Sequence, residues 1–277
     1  MICLSGDLHH TTLQTGNQKC CDITELETAQ LFLKMLEEAQ VKVTFFISGK
    51  CFAEEWGLTK SICESDFVEI GGHNYSCFTP EIVHRVWNKL VHSYNGPLWV
   101  QRRDAKKTMD IIRKKTGRTI KSWRNHMYMH GPFTEKALWQ SGIKICSDGV
   151  KKDSNGPILH PSGIYNFPLN VMPDHEHLFH AERTPEYVEW FKKRYNWSDD
   201  YGPDSYYIEE WTERVLDELK AHERDGIISN MIIHPITMYL CDKFAGFRKI
   251  LDFISGCETV FMSEILEQQM QKNGEQQ

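Results

Sequence analysis

Short apolar runs alternate with longer amphipathic segments along most of the chain. Val41–Ile47 is a β-branched and aromatic run, which is typical of a buried strand. Residues 25–39 repeat apolar side chains at helical spacing, which predicts a helix. Thr24, just before this segment, and Glu27, in its first turn, form a capping-box pattern. This strand–helix alternation recurs seven or eight times, which predicts an α/β fold with parallel strands joined by crossover helices.

The predicted strands end in polar side chains that can carry chemistry. The opening stretch Met1–His10 consists of a short apolar run followed by a carboxylate and two imidazoles. In barrels of parallel strands, active-site groups lie at the carboxyl ends of the strands. We therefore expect one site, assembled from residues at several such ends: Asp7, His9, His73, Arg124, Asp148 and His234.

Asp7 and His9 are two residues apart and lie on the same side of an extended backbone. Such a pair can supply a general base together with a metal ligand, although a polar loop after the first strand has the same pattern. We favour a functional role for Asp7, because an unpaired carboxylate at a buried strand end is costly.

His73 and Cys77 have i, i+4 spacing, which lets both side chains face one ion on a helical turn. A single histidine near a cysteine is nevertheless more often structural. Arg124 can hold Asp7 ionised through a fork-shaped ion pair, or it can be a surface residue at a strand end.

The other candidate residues each have two interpretations. His126 and Tyr128 line either a pocket or a loop, and Asp174 and His175 either contact substrate or form a turn. Asp148 can orient a histidine or cap a helix. His234 ends the most apolar strand, and we favour a catalytic acid there over a core histidine.

Composition excludes several function classes. The 277 residues carry a net charge of -6 at neutral pH, which argues against a nucleic-acid partner. No apolar run approaches the ~20 residues that span a bilayer, so no membrane partner is expected. Nine scattered cysteines and an opening without a signal-peptide pattern favour reduced thiols and a cytoplasmic location. The oligomeric state is open, a homo-oligomer included.

Six segments together resemble the NodB-homology polysaccharide deacetylases, carbohydrate esterase family four. The resemblance covers about residues 2–255, and the segments that carry it, in chain order, are ICLSGDLHH, VKVTFFISGK, EIGGHNYSC, SWRNHMYMHG, GIKICSD and IIHP. It implies a distorted barrel of seven or eight β/α units that hydrolyses N-acetyl or related amide groups with a divalent metal, usually zinc-like.

The resemblance also implies roles for individual residues. Asp7 would be the general base, Arg124 would position it, His234 would protonate the leaving amine, and Asp148 would tether His234. The metal ligands would be His9, His73 and Cys77.

This chain departs from the family pattern at the metal site. Leu8 stands where the commonest motif has its metal aspartate, and Cys77 stands where the motif has a second histidine. His9, His73 and Cys77 would still make a zinc site of two nitrogens and one thiolate. The alternatives are that Asp7 itself binds the metal or that the site holds none.

The sequence indicates one catalytic domain over residues 1–271, with an aromatic-rich helical insertion at about 177–224 and a polar tail at 272–277. The expected function is metal-dependent deacetylation of an N-acetylated sugar or glycan precursor. The alternatives are a metal-independent hydrolase of a small cyclic amide and a non-catalytic glycan-binding relative.

Overall fold

The computed structural model describes residues 1–193 and 198–274, so Tyr195 and Trp197 of the aromatic-rich region lie outside the described residues. The described residues contain eight strands: β1 (Ile2–Leu8), β2 (Val43–Ser48), β3 (Val68–His73), β4 (Ser122–Trp123), β5 (Ile145–Cys146), β6 (Ile158–Leu159), β7 (Tyr165–Asn166) and β8 (Ser229–Ile232).

These strands form one curled sheet in the order β6-β7-β5-β4-β3-β2-β1-β8. All neighbours pair in parallel except β6 and β7, which are antiparallel. The first two strands are buried along their whole length, which explains their nearly continuous apolar sequences. The predicted α/β barrel-like architecture is confirmed.

Helices connect the strands and cover the outside of the sheet. The described helices are α1 (Glu25–Glu38), α2 (Gly49–Glu54), α3 (Trp56–Cys63), α4 (Glu81–Val91), α5 (Leu98–Thr116), α6 (Thr134–Ser141), α7 (Asp174–His177), α8 (Pro185–Lys193), α9 (Ile208–Asp225), α10 (Pro235–Asp242), α11 (Ala245–Ile254) and α12 (Met262–Gly274). Within the described ranges, none is both long and apolar enough to cross a membrane.

Two asparagines join the ends of the sheet. The Nδ2 of Asn230 on β8 donates to the carbonyl oxygen of Phe167 at 2.6 Å, and the Nδ2 of Asn170 donates to that of Ile228 at 2.9 Å. The backbone N–H of Asn230 also donates to Asn170 Oδ1 at 2.7 Å. The segment after β7 is thereby held against β8, and the polar residues that follow each are brought together.

Gly6 allows β1 to approach β8 closely. A Cβ atom at this position would lie 2.7 Å from the carbonyl oxygen of Ile233 and 2.9 Å from the Phe45 ring. Any side chain here would push the neighbouring strands apart. The absence of a side chain therefore lets the next residue, Asp7, lie beside the end of β8.

Candidate active site

Asp7 and Arg124 form a fully buried ion pair at the end of β1. Arg124 Nη1 donates to Asp7 Oδ1 at 3.1 Å, while Nη2 donates to the hydroxyls of Ser5 at 2.8 Å and Ser147 at 2.7 Å. The side chains of Arg124 and Asp7 are 0% and 2% exposed. A buried guanidinium is tolerated only when its donors are satisfied. These contacts fix the position of the Asp7 carboxylate inside the barrel.

Asp174 and His234 form a second buried pair. The backbone N–H of His234 and its ring Nδ1–H each donate to one Asp174 oxygen at 2.7 Å. Burial by itself lowers the pKa of His234, but the charge of Asp174 and this hydrogen bond raise it to about 9. The His234 ring is therefore an imidazolium at neutral pH and can donate a proton.

The expectation that Asp148 tethers His234 is wrong, because the contact is made by Asp174, which was expected to touch substrate. Asp148 instead accepts hydrogen bonds from the backbone N–H of Asn125 at 2.8 Å and from its Nδ2 at 2.6 Å. Burial raises the pKa of Asp148 to about 7. Asp148 follows β5, whereas the segment that leads to Asp174 is bonded to β8 itself.

A third group brings together His9, His73, Cys77 and His126. Each offers a ligand atom, and these four atoms all lie within 4.8 Å of one another. In the described structure, two buried ring nitrogens of the group, His9 Nε2 and His73 Nδ1, have no hydrogen-bond partner. Buried polar atoms are nearly always satisfied, so these nitrogens fit a ligand that takes a lone pair. Nitrogen and thiolate donors suit zinc.

The protonation states of the group favour metal binding. Burial, with the nearby His9 ring, holds the pKa values of His73 and His126 well below the ordinary histidine value. Both rings are therefore neutral at physiological pH and keep a lone pair. Burial raises the pKa of the Cys77 thiol well above its usual value, so metal binding there must displace a proton.

Outer residues hold two of these histidines, one by its ring and one by its backbone. Glu25, at the start of α1, accepts from both the backbone N–H and the ring Nδ1–H of His9 at 2.8 Å, which leaves Nε2 to the metal group. Asn74 Oδ1 accepts from the backbone N–H of His126 at 2.7 Å, and its Nδ2 donates to Asp104 at 3.0 Å.

The two loops that supply Cys77 and His126 hold strained backbone. Cys77 and Phe78 have φ values of 49° and 58°, and Met127 and Tyr128 have values of 58° and 52°. Non-glycine residues in this left-handed region cost about 1–3 kcal/mol each and often lie at functional sites. The Phe78 ring packs on the His126 ring at 5.4 Å, so the two strained loops support each other.

The structure places the other predicted residues around these three groups. His126, expected to contact substrate, belongs to the metal group. The Tyr128 hydroxyl is buried and donates to Glu176 at 3.2 Å. The His175 ring packs on His234 at 4.8 Å. Four residues of the site escaped the sequence analysis as site residues: Glu25, Asn74, Glu176 and His180.

Comparison with known families supports the resemblance seen in the sequence. The model of the family described as polysaccharide deacetylase matches residues 21–140, which is less than half of the chain. No curated protein matches the chain in sequence.

Solved structures share the fold of this chain at low identity. A Mycobacterium smegmatis protein assigned to the polysaccharide deacetylases is 17% identical, with a TM-score of 0.68 over 98% of this chain and 91% of that one. The PuuE allantoinase is 13% identical, with a TM-score of 0.64 over 96% and 89%. A family-four pseudoenzyme of Bacillus anthracis is 14% identical, with a TM-score of 0.53 over 96% and 65%.

The family match covers only part of the candidate site. Residues 21–140 include His73, Cys77, Arg124 and His126. The remaining polar residues come from outside the matched span: Asp7, His9, Asp174 and His234. The fold brings the two sets together, so the site is larger than the segment that matches the family model.

Proposed function

We propose that this protein is a zinc-dependent deacetylase that removes the acetyl group from the nitrogen of an amino sugar in a glycan or glycan precursor. One observation carries the proposal. The Asp7 carboxylate, held by Arg124, and the His234 imidazolium, held by Asp174, border the same group of side chains, in which the rings of His73 and His126 are neutral. Asp7 is close enough for its charge to raise the pKa of His234, and the His9 and His234 rings are 6.2 Å apart.

We assign His9, His73 and Cys77 as the zinc ligands. A catalytic zinc keeps an open coordination position, so three rather than four of the grouped side chains would hold it. His126, whose Nδ1 lies 3.5 Å from His73 Nε2, would then border the open position. A metal bound here would polarise the amide carbonyl and lower the pKa of a water molecule.

The chain's own residues would move the protons. Asp7, held in place by Arg124, takes a proton from the attacking water. His234 gives its Nε2 proton to the nitrogen of the departing amine as the carbon–nitrogen bond breaks. Asp174 stabilises the imidazolium and fixes the direction of its ring. With a pKa of about 9, His234 carries that proton throughout the neutral range.

A second candidate function is hydrolysis of a small cyclic amide. The fold similarity to the allantoinase, with a TM-score of 0.64, favours keeping it. A purely glycan-binding role, suggested by the fold similarity to the pseudoenzyme, is disfavoured. Both the Asp7–Arg124 and Asp174–His234 pairs are intact and buried, and a binding protein has no need of a base and an acid.

The test is acetate release from N-acetylated amino sugars and short glycans, run beside ring opening of a cyclic ureide. We expect acetate release, and we expect Asp7→Asn to lower its rate by ~100-fold or more. Asp110→Asn, the same substitution at an exposed position on α5, serves as the control. Ring opening without acetate release would favour the second candidate. Wild-type rates in Asp7→Asn would contradict both.

A cytoplasmic location is also part of the proposal. All nine cysteines are free thiols in the structure, including the exposed Cys20. Free thiols are typical of a reducing compartment. The expected substrate is a small molecule or glycan and not a nucleic acid, in line with the net charge of -6.

A further inference from the structure

The metal group offers one donor more than a catalytic zinc uses. His9, His73, Cys77 and His126 each supply a ligand atom, and all four atoms lie within 4.8 Å of one another. Three protein donors and an open position are typical of catalytic zinc, whereas four nitrogen or sulfur donors are typical of a closed structural site. A zinc ion held by all four side chains would have no position left for water or substrate.

The His126 ring lies among the other donors, but little holds it there. Its centroid is 5.1 Å from that of His9 and 5.6 Å from that of His73. Its Nδ1 is 3.5 Å from His73 Nε2, which is long for a hydrogen bond. In the described structure the His126 ring forms no other hydrogen bond. The ring is therefore near enough to bind the ion and is weakly anchored by the protein.

The other three donors are less free to leave the metal. The His9 ring donates to Glu25 at 2.8 Å. His73 ends β3 and is 0% exposed, so its ring has no solvent to turn into. Cys77 would bind as a thiolate, which must recover a proton before it is a stable free thiol. A neutral imidazole such as that of His126 leaves a metal without any change of charge.

The backbone of His126 is fixed while its side chain reaches the surface. Its N–H donates to Asn74 Oδ1 at 2.7 Å, so the main chain is tied to the loop that follows β3. His126 itself is partly exposed, and the next residue, Met127, is 38% exposed. Rotation about the side-chain bonds of His126 can therefore carry the ring away from the group without moving the strands.

We propose that His126 is an exchangeable fourth ligand, which closes the zinc site in the resting protein and leaves the metal when a substrate oxygen binds. The inference rests on the proposed function, in which three side chains hold the zinc during the reaction. One bond from the metal to the His126 nitrogen breaks and one to the substrate oxygen forms, so the exchange needs no proton and no electron. The hydrogen bond to Asn74 keeps the displaced ring close, ready to return.

The first test is X-ray absorption spectroscopy of the zinc-loaded full-length protein, which requires no activity. We expect three imidazoles and one sulfur around zinc in the wild type. His126→Ala should show two imidazoles, one sulfur and an oxygen ligand. His84→Ala is the control, because the His84 ring packs on Phe78, as the His126 ring does, but lies outside the metal group. This control should keep the wild-type ligands.

The second test measures how readily the site opens, with azide as the probe and cobalt in place of zinc so that visible absorption reports binding. Azide must displace His126 in the wild type, so we expect it to bind His126→Ala at least ~10-fold more tightly. His84→Ala should bind azide as the wild type does. Zinc affinity should fall by ~10-fold or more in His126→Ala, since even the loss of an outer partner of a ligand has an effect of that size.

The outcomes separate this inference from the proposed function. Two imidazoles and one sulfur in the wild type, with acetate released, would overturn the inference and leave the proposed function intact. Three imidazoles and one sulfur, with equal azide affinity in the wild type and His126→Ala, would make His126 a permanent ligand and also overturn it. A wild type that binds no zinc overturns both. Ligand loss and tighter azide binding in His126→Ala support the inference even if the substrate is not an N-acetylated sugar.

Discussion

Two sets of histidines meet in one site and are held in opposite charge states. On one side, the pKa values of His73 and His126 lie well below the ordinary value, because the rings are buried. On the other side, the pKa of His234 is raised to about 9, although this ring is equally deprived of water. Burial is thus common to both sides and does not explain the difference between them.

The difference comes from one carboxylate in direct contact. Asp174 accepts two hydrogen bonds from His234, whereas His73 Nδ1 has no partner in the described structure. Burial disfavours the charged ring, and a contacting carboxylate more than offsets that effect. One pocket can therefore hold neutral imidazoles suited to a metal and a protonated imidazole suited to acid catalysis.

Among the variants that test the metal-binding side of the site, His73→Ala should have the largest effect. We expect loss of bound zinc and a fall in deacetylation rate on the order of a thousandfold, because a metal supplies several kcal/mol of transition-state stabilisation. Metal content by plasma mass spectrometry and acetate release measure the two effects. His222→Ala removes a half-buried histidine whose pKa is also lowered by burial but which lies on α9, bonded to Ser229. Zinc lost equally in that control would contradict the assignment.

His234→Asn removes the proposed proton donor from the site. We expect the rate to fall by ~100-fold or more, because the leaving amine no longer receives a proton from a positioned acid. Zinc content should remain that of the wild type, since His234 lies outside the assigned ligands. A variant that lost zinc as well would show that the two sides of the site are not independent.

Asp174→Asn tests why the pKa of His234 differs from those of His73 and His126. Without the Asp174 carboxylate, burial is opposed only by the smaller effects of the Asp7 and Glu176 charges, so the pKa of His234 falls from about 9. A proton donor is active below its pKa, so the alkaline limb of kcat/KM should move from near pH 9 to lower pH. The rate at pH 8 should fall by ~10-fold or more.

Asp148→Asn is the matched control for that pH profile. Asp148 is an equally buried carboxylate, but its partner is Asn125 and not His234. The alkaline limb should therefore stay near pH 9 in this variant. A limb that moved with Asp148 and not with Asp174 would restore the assignment made from the sequence.

The architecture was predictable because its signals are local. The apolar run of β2 and the capping box of α1 each specify one element, and the alternation of such elements specifies parallel strands. The strand-end residues Asp7 and Arg124 were expected in one site, and the family resemblance implied that Arg124 positions Asp7; their side chains are in contact.

The partner of His234 could not be predicted, because it depends on how the sheet closes. Asp148 and Asp174 both follow strand candidates, and the sequence contains no sign of which one reaches β8. The hydrogen bonds that Asn170 and Asn230 form across the sheet bring the segment before Asp174 to β8. No local sequence pattern predicts such hydrogen bonds. Likewise, an amphipathic pattern in α4 does not reveal whether its apolar side is covered.

The smallest expected effect concerns how the metal side is held. Glu25→Gln should weaken zinc affinity by roughly 10-fold, because the carboxylate that fixes the His9 ring is replaced by a neutral amide. Competition with a chromophoric chelator measures the affinity.

Glu27→Gln is the matched control for Glu25→Gln, two residues further along α1. Glu27 accepts from the backbone N–H of Thr24 in the capping box, and in the described structure it forms no hydrogen bond with His9. If Glu27→Gln weakened zinc binding as much, the position of the helix rather than the hydrogen bond to His9 would set the affinity. If only Glu25→Gln does so, the hydrogen bond from the His9 ring to Glu25 is what holds this ring in place as a ligand.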